Sequence, residues 1–118
     1  MTFYDSTGRA IAYTEDGEYI YLFSGEPVAY LFGELVYSYS GKQLGRFKNG
    51  WIRDNSGFCV FFSENAIGGP RKPLKQLRPI KSIKHLKPFK QLRHRPVIKP
   101  RDCNGWSSKK GEQFFYYA

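Results

Sequence analysis

Cysteine is scarce in this chain of 118 residues, which contains only Cys59 and Cys103. Two cysteines do not provide the disulfide framework of small secreted domains, and a Cys59–Cys103 bridge would need an oxidising compartment. We expect Cys59, in an apolar segment, to be a packing residue. No apolar run approaches the ~20 residues that cross a bilayer, and the first residues lack a secretory signal. These absences predict a cytoplasmic protein that is not secreted, either free or peripheral at a membrane.

Motifs of catalysis and metal binding are also missing. The sequence has no Gly-rich phosphate loop before a helix and no Cys/His cluster at metal spacing. Asp5 and Asp54 share a repeat position and could pair as glycosidase carboxylates do, but Asx turns explain both. His85 and His94 are expected to be solvated polar residues. We therefore predict a protein that is not an enzyme and has no cofactor, metal ion or evident small-molecule substrate.

Charge of one sign is concentrated at one end of the chain. Residues 1–70 hold five Lys/Arg and eight Asp/Glu, whereas residues 71–118 hold fourteen Lys/Arg and two Asp/Glu. The first segment has a net charge of −3 and the second a net charge of +12. A basic segment beside a mildly acidic one predicts an anionic partner, which is nucleic acid, a lipid surface or the acidic segment itself.

Glycines mark a fourfold repeat in the first half of the chain. Gly8, Gly25, Gly41 and Gly57 each follow a Ser or Thr and are separated by 17, 16 and 16 residues. An apolar residue precedes each glycine by five positions, and an aliphatic residue follows it by three. The apolar positions are Phe3, Ile20, Val36 and Ile52, followed by Ile11, Val28, Leu44 and Val60.

Each repeat predicts one β-hairpin. The Ser/Thr-Gly pair is interpreted as a two-residue turn, because glycine readily adopts the positive φ that such turns need. In that register Tyr4, Tyr21, Tyr37 and Arg53 face Ile11, Val28, Leu44 and Val60. Asp16-Gly17, Phe32-Gly33 and Asn49-Gly50 supply the turns between repeats. The prediction is an all-β fold of eight short strands in an up-and-down meander, closed into a barrel with pseudo-fourfold symmetry.

A period of three residues governs the segment from Lys72 to Lys99. An apolar row, in which only Arg95 breaks the pattern, consists of Leu74, Leu77, Ile80, Ile83, Leu86, Phe89, Leu92 and Ile98. A cationic row, which Pro96 interrupts, includes Lys75, Arg78, Lys81, Lys84, Lys87, Lys90 and Arg93. A mixed row includes Gln76, Ser82, His85, Gln91 and His94.

Three residues per turn is the period of a polyproline II helix, which we predict for this segment. An amphipathic α-helix is the competing conformation, but the apolar stripe would smear around it, and Pro79 and Pro88 would break it. The segment is too long to cross a small domain in a straight line. Since a solvated tail has no use for Leu and Ile, we expect the apolar row to pack on the barrel and the cationic row to face solvent.

Aromatic residues are the remaining candidates for binding. The seven tyrosines of the first half could line a binding mouth, but cross-strand pairing is the favoured interpretation. Trp106 is predicted to cap the barrel or to anchor the end of the basic segment. The Phe114-Phe115-Tyr116-Tyr117 run could enter a membrane interface, add a strand or be disordered, and these alternatives stay open.

These motifs together resemble the 4-fold beta flower domain proteins. The resemblance depends on the four Gly-centred repeats, the Gly68-Gly69-Pro70 junction with Lys72-Pro73, the basic triplets and Trp106-Ser107, and it covers roughly residues 1–107. It implies a shallow, symmetric barrel of hairpins, and it brings no established activity or catalytic residues. We divide the chain into a barrel at 1–66, an arm at 67–107 and a tail at 108–118.

The predicted function is that of a non-enzymatic binding module that presents a cationic ridge to an anionic partner. A membrane surface is slightly favoured. Sequence-independent binding to nucleic acid is one alternative, and an arm that only packs on its own barrel is another.

Overall fold

The barrel consists of eight antiparallel strands in chain order, which confirms the predicted all-β meander. The computed structural model describes residues 1–116. The strands are β1 (Thr2–Tyr4), β2 (Ala10–Tyr13), β3 (Tyr19–Leu22), β4 (Pro27–Phe32), β5 (Leu35–Tyr37), β6 (Gln43–Lys48), β7 (Trp51–Asp54) and β8 (Cys59–Phe62). Strand β1 pairs with β8 and closes the barrel, so no sheet edge is left unpaired.

The hairpin turn at each repeat glycine has a loop of three residues, not two as predicted. In the first hairpin the amide of Asp5 donates to the carbonyl of Arg9 at 2.9 Å, and the amide of Gly8 donates to the carbonyl of Asp5 at 3.0 Å. The same pair of hydrogen bonds recurs in the other three hairpins. All four repeat glycines have positive φ, from 85° to 96°. A three-residue loop of this type places its last residue in that region, which is why glycine recurs there.

A β-bulge beside each turn corrects the predicted register. Phe3 pairs with Ala12 as expected, but Tyr4 pairs with Ala10 instead of Ile11. The other three hairpins shift at the same position. Directly opposite residues share a face of the sheet, so pairing with Tyr4 would have placed Ile11 on the outer face. The bulge lets Tyr4 face outward while Ile11 joins the inner core.

The barrel interior is filled by its own small and large side chains and by the chain terminus. Ile20, Val36 and Leu44 are buried, as their repeat positions predict. A 3-10 helix (Gly111–Tyr116) places Phe114 and Phe115 in the same core, where both rings lie within 5.6 Å of Phe61. Phe114 and Phe115 are therefore core residues, whereas Tyr116 is 56% exposed and Tyr117 lies outside the described residues.

The arm runs once around the barrel. It contacts the four hairpins in chain order, and residues 71–103 contain neither helix nor strand. The molecule has the shape of a disc, with principal extents of 36 × 36 × 22 Å. Nine arm residues at about 3.1 Å each span roughly 28 Å, which is a quarter of the circumference of such a disc. Over residues 1–116, no helix has the length and apolar character needed to cross a bilayer.

Candidate functional site: the arm and the tyrosine layer

The outer wall of the barrel is a layer of aromatic rings. Strand alternation sends the side chains that follow Phe3, Ala12 and Ile20 outward, and each of them is a tyrosine. The rings pair across strands as predicted: Tyr13 stacks on Tyr21 with centroids 6.0 Å apart, and Tyr30 stacks on Tyr37 at 5.9 Å. Tyr13, Tyr30 and Tyr37 are each only 1% exposed. Rings on the outside of a barrel are buried to this degree because the arm covers them.

The backbone of the arm is hydrogen-bonded to the hairpin turns at intervals of nine residues. The amides of Gln76, His85, His94 and Cys103 donate to the carbonyls of Gly8, Gly25, Gly41 and Gly57, at 2.8 to 3.1 Å. Ser82 and Gln91, also nine residues apart, donate to the carbonyls of Phe23 and Tyr39. Their equivalents one period away are Pro73 and Pro100, which have no amide hydrogen. These bonds hold the mixed row against the turns.

The repeat glycines also allow the arm to approach closely. A Cβ atom on Gly25 would lie 2.0 Å from the carbonyl oxygen of Ile83, and one on Gly41 would lie 2.1 Å from that of Leu92. Gly8 and Gly57 have the same relation to Leu74 and Arg101. Each glycine therefore serves both the turn and the contact with the arm.

The cationic row lies over the tyrosine layer. The Lys81 ammonium is 4.5 Å from the centroid of Tyr13, and the Lys90 ammonium is 4.5 Å from that of Tyr30. Lys75, Lys84 and Lys87 lie over Tyr4, Tyr21 and Tyr19, and Arg93 lies over Phe32 and Tyr37. Arg78, the remaining predicted contact residue, is exposed. The structure thus brings six of the seven predicted cations onto aromatic rings.

This arrangement shows that the predicted orientation of the arm is wrong. The predicted inner residues Leu77, Ile80, Ile83, Leu86 and Phe89 point away from the barrel and are 90–98% exposed. The physical reason is the chemistry of the wall, which offers aromatic faces and carboxylates. Ring faces carry negative potential that attracts an ammonium group, and the stem of a lysine covers apolar surface while its charge stays near water.

Two acidic residues add to the attraction between wall and arm. Glu15 accepts hydrogen bonds from Lys84 and Lys81, and Glu18 pairs with Lys90 at 3.4 Å. The hydrogen bonds from Lys84 and Lys81 lower the pKa of Glu15, and that from Lys84 has the larger effect. The hydrogen bond to Glu15 raises the pKa of Lys84. The three lysine side chains remain 34–43% exposed, so these pairs are weak individually.

Each hairpin and the nine arm residues that contact it form one quarter of the ring, and in the fourth quarter the barrel residue is basic and the arm residue is acidic. The first three hairpins place a tyrosine four residues before the repeat glycine, opposite Lys75, Lys84 and Arg93. In the fourth hairpin that position is Arg53, and the equivalent arm residue is Asp102. Arg53 Nε lies 3.7 Å from Asp102 Oδ1, and Arg53 also donates to the carbonyl of Cys103 at 2.8 Å. Both members of the pair are exchanged together, which keeps the contact attractive.

The apolar row forms an exposed belt around the disc. All eight residues of the row, from Leu74 to Ile98, are at least 90% exposed. Soluble monomers rarely expose apolar residues in a continuous row, and such surfaces mark sites of contact with proteins or membranes. The sequence predicted that this apolar row packs on the barrel, whereas in the structure it faces solvent.

The remaining candidates have structural roles. Asp5 Oδ1 accepts the amides of Thr7 and Arg9, and Asp54 Oδ1 accepts those of Ser56 and Phe58, as Asx turns require. His85 and His94 are exposed. No group of three or more potential metal ligands occurs within residues 1–116.

The two cysteines are free thiols, and Cys59 is fully buried. Burial raises the pKa of the Cys59 thiol to about 11, so this thiol is protonated at neutral pH.

Trp106 anchors the end of the arm. Its ring packs against Trp51 and Phe62, with centroids 5.6 and 6.3 Å apart. The backbone on either side of it pairs with Cys59, whose amide donates to the carbonyl of Gly105 and whose carbonyl accepts from Ser107. The ring of the arm is thereby closed beside the strand where the barrel closes.

A sequence signal for the arm orientation exists. The series Lys75, Lys84, Arg93 and Asp102 has the nine-residue spacing of the contacts, and its change of charge matches the change from tyrosine to Arg53 in the barrel repeat. Aligning the nine-residue period of the arm with the repeats of the barrel would have placed the cationic row inward.

Comparison with known protein families supports the fourfold barrel. Searches of the curated proteins and of the solved structures found no match. The family model described as "4-fold beta flower protein" matches residues 1–115, which extends the resemblance beyond residue 107 and into the 3-10 helix. The chain therefore belongs to the 4-fold beta flower family.

Proposed function

We propose that this protein is a non-enzymatic binding module that attaches to an anionic membrane surface through the arm. The observation that carries the proposal is the exposed belt, whose eight apolar side chains alternate along the chain with the cationic row. Apolar side chains that enter the lipid interface beside lysines that reach the headgroups are the usual composition of peripheral membrane anchors.

Charge supports the same partner. The C-terminal 48 residues retain their net charge of +12, and carboxylates pair with only Lys81, Lys84 and Lys90 of the cationic row among the described residues. A basic residue near an anionic leaflet contributes about 1 kcal/mol to binding. Nucleic acid would use the cations but has no use for the apolar row, which makes it the weaker candidate.

A structural function is the second candidate, and the exchange at Arg53 and Asp102 favours it. If the arm served only to attract an anionic partner, an acidic residue facing Arg53 would have no advantage. In this alternative the arm is a clamp that covers the tyrosine layer and has no external ligand.

Co-sedimentation with vesicles tests the proposal. The protein is mixed at ~150 mM salt with vesicles of a neutral lipid, with and without an added anionic lipid. The test variant replaces Leu77, Ile80, Ile83 and Leu86 with serine. Because these side chains contact little of the barrel, we expect an unchanged melting temperature and an affinity for anionic vesicles that falls at least about tenfold. A variant with Ser24, Ser40, Ser56 and Ser108 replaced by alanine is the matched control.

Two results would contradict membrane attachment. If the belt variant binds anionic vesicles as well as the wild type, the belt is not the site. If the wild type binds no vesicles but shifts DNA or RNA at the same salt concentration, the partner is a nucleic acid. Binding to neither supports the clamp.

A further inference from the structure

The triplet pattern of the arm is interrupted at Arg95 and Pro96, and an open cleft lies there. The cleft has a volume of about 600 Å³ and lies between arm residues 90–96 and the β4–β5 hairpin. Its apolar lining includes Phe32, Leu35 and Leu92. This volume falls within the range of roughly 300–1,000 Å³ that is typical of ligand sites.

The cleft coincides with the interruption of the triplet rows. Arg95 stands where the apolar row requires a Leu or Ile, and Pro96 stands where the cationic row requires a Lys or Arg. Arg95 adds a third basic residue to Lys90 and Arg93 in the lining. No carboxylate lines the cleft among the residues that the structure describes.

In the first quarter of the ring, the two cations equivalent to Lys90 and Arg93 share one carboxylate. Glu15 lies seven residues after Gly8 and accepts from both Lys81 and Lys84. The equivalent residue seven after Gly25 is Phe32, and the equivalent cations, nine residues along the arm, are Lys90 and Arg93. Arg93 covers the Phe32 ring at 3.7 Å. The anion that bridges two cations in the first quarter has no equivalent side chain here.

We propose that this cleft binds a small phosphate monoester whose organic part is apolar. Its phosphate contacts Lys90 and Arg93 beside the Phe32 ring, which occupies the place equivalent to Glu15. Arg95 is the third contact, because a phosphate carries more charge than a carboxylate. Each guanidinium group can also donate two parallel hydrogen bonds to a phosphate. The organic part packs on Leu35 and Leu92. Lys90 also pairs with Glu18 at 3.4 Å, which leaves Arg93 and Arg95 as the main determinants.

Calorimetric titration of the whole protein with phenyl phosphate tests this site, with inorganic phosphate and phenol as comparison probes. We expect phenyl phosphate to bind at least fivefold more tightly than either. Arg93→Gln should weaken it at least tenfold. Lys42→Gln is the matched control, because it removes the same charge from an exposed residue outside the cleft.

A second variant supplies the anion internally. Phe32→Glu places a carboxylate at the position equivalent to Glu15, and since Phe32 is half-exposed the fold should tolerate it. We expect this variant to lose phenyl phosphate binding while keeping the wild-type melting temperature. Ile67→Glu, at an exposed position that does not line the cleft, adds the same charge and should retain binding.

A vesicle experiment distinguishes a lipid headgroup from a free phosphate monoester as the ligand. Binding to vesicles that contain phosphatidic acid, but not to phenyl phosphate, assigns the cleft to a lipid headgroup provided that Phe32→Glu abolishes it and Ile67→Glu does not. The proposal is overturned if Phe32→Glu and Ile67→Glu behave alike with both probes. The belt is intact in these variants, so this result is independent of the test of membrane attachment.

Discussion

Single residues in this ring have paired roles that repeat every 16 or 17 positions in the barrel and every nine in the arm. A glycine meets a carbonyl of the arm, and a tyrosine meets a cation. The exception at Arg53 and Asp102 follows the same geometry with the charges reversed. Residue-scale predictions can therefore use one quarter of the ring as the control for another.

Converting the fourth quarter to the pattern of the other three should reveal a coupling between its two residues. Arg53→Tyr alone removes hydrogen bonds to the carbonyls of Gly57 and Cys103, and Asp102→Lys alone places two cations together. We expect both single variants to be less stable than the wild type. In the double variant a lysine lies over a tyrosine, so its loss should be smaller than the sum of the two by about 1 kcal/mol. Urea unfolding measures this, and an additive result would contradict the pairing.

The repeat glycines should be more sensitive than glycines of similar φ elsewhere. In Gly25→Ala the new methyl group would overlap the carbonyl oxygen of Ile83, whereas in Gly33→Ala nothing lies within 4 Å. Both residues have positive φ, so both variants lose about 1–2 kcal/mol for the backbone conformation. Gly25→Ala should lose at least about 1 kcal/mol more, because the arm must move. Equal melting temperatures would show that the arm does not approach this turn.

The arm is an unusual structural element, since its order comes from contacts outside itself. Within residues 67–107, eight backbone amides donate to barrel carbonyls, that of Val97 donates to Gln43 Oε1, and the cationic row covers the tyrosine layer. Its polyproline II conformation stays a prediction, and the α-helix is not formed. An element held this way depends on the barrel beneath it for its order.

Hydrogen exchange should display this periodicity directly. The amides of Gln76, Ser82, His85, Gln91 and His94 are bonded to barrel carbonyls, whereas no amide of the apolar row donates within residues 1–116. We expect the bonded set to exchange at least about 100-fold more slowly, because exchange there requires the arm to detach. Uniformly fast exchange along the arm would contradict the ring.

At the scale of the whole molecule, the disc depends on both ends of the arm. Trp106 and Ser107 join β8, and Phe114 and Phe115 fill the barrel centre. The barrel therefore has two aromatic layers that residues beyond 70 complete, one inside and one outside. The arm thus packs on the outside of the barrel, and the tail packs inside it.

Removing the Phe114 side chain from the barrel interior should destabilise the entire molecule. Phe114 is 1% exposed and packs edge-on against Phe61 at 5.6 Å. Phe114→Ala removes this contact and leaves a cavity, so we expect a loss of about 3–5 kcal/mol in the free energy of unfolding. Gln113→Ala, at the exposed neighbouring position, should change it by less than about 0.5 kcal/mol. Similar values for both would mean that the barrel folds without its terminal residues.

The barrel was predictable from the sequence because its determinants are local. Four glycine-centred repeats with apolar residues at constant offsets indicate hairpins and an inner face, and Ile20, Val36 and Leu44 are buried accordingly. The loop length and the bulge were missed. A two-residue and a three-residue loop both use glycine at a positive φ, and only the hydrogen bonds between strands distinguish them.

The sequence by itself determined the three rows of the arm, but only the tertiary structure decided which row faces the barrel. Apolar burial predicted the inward position for Leu77 and Ile80, because that rule considers the arm alone. The outcome depends on what the wall offers, and the wall offers tyrosine rings and the carboxylates of Glu15 and Glu18. Cations satisfy that surface, and the backbone bonds at the repeat glycines then leave the apolar row outside. The same dependence on distant partners explains why the cleft beside Arg95 could be located only once the arm was seen in place.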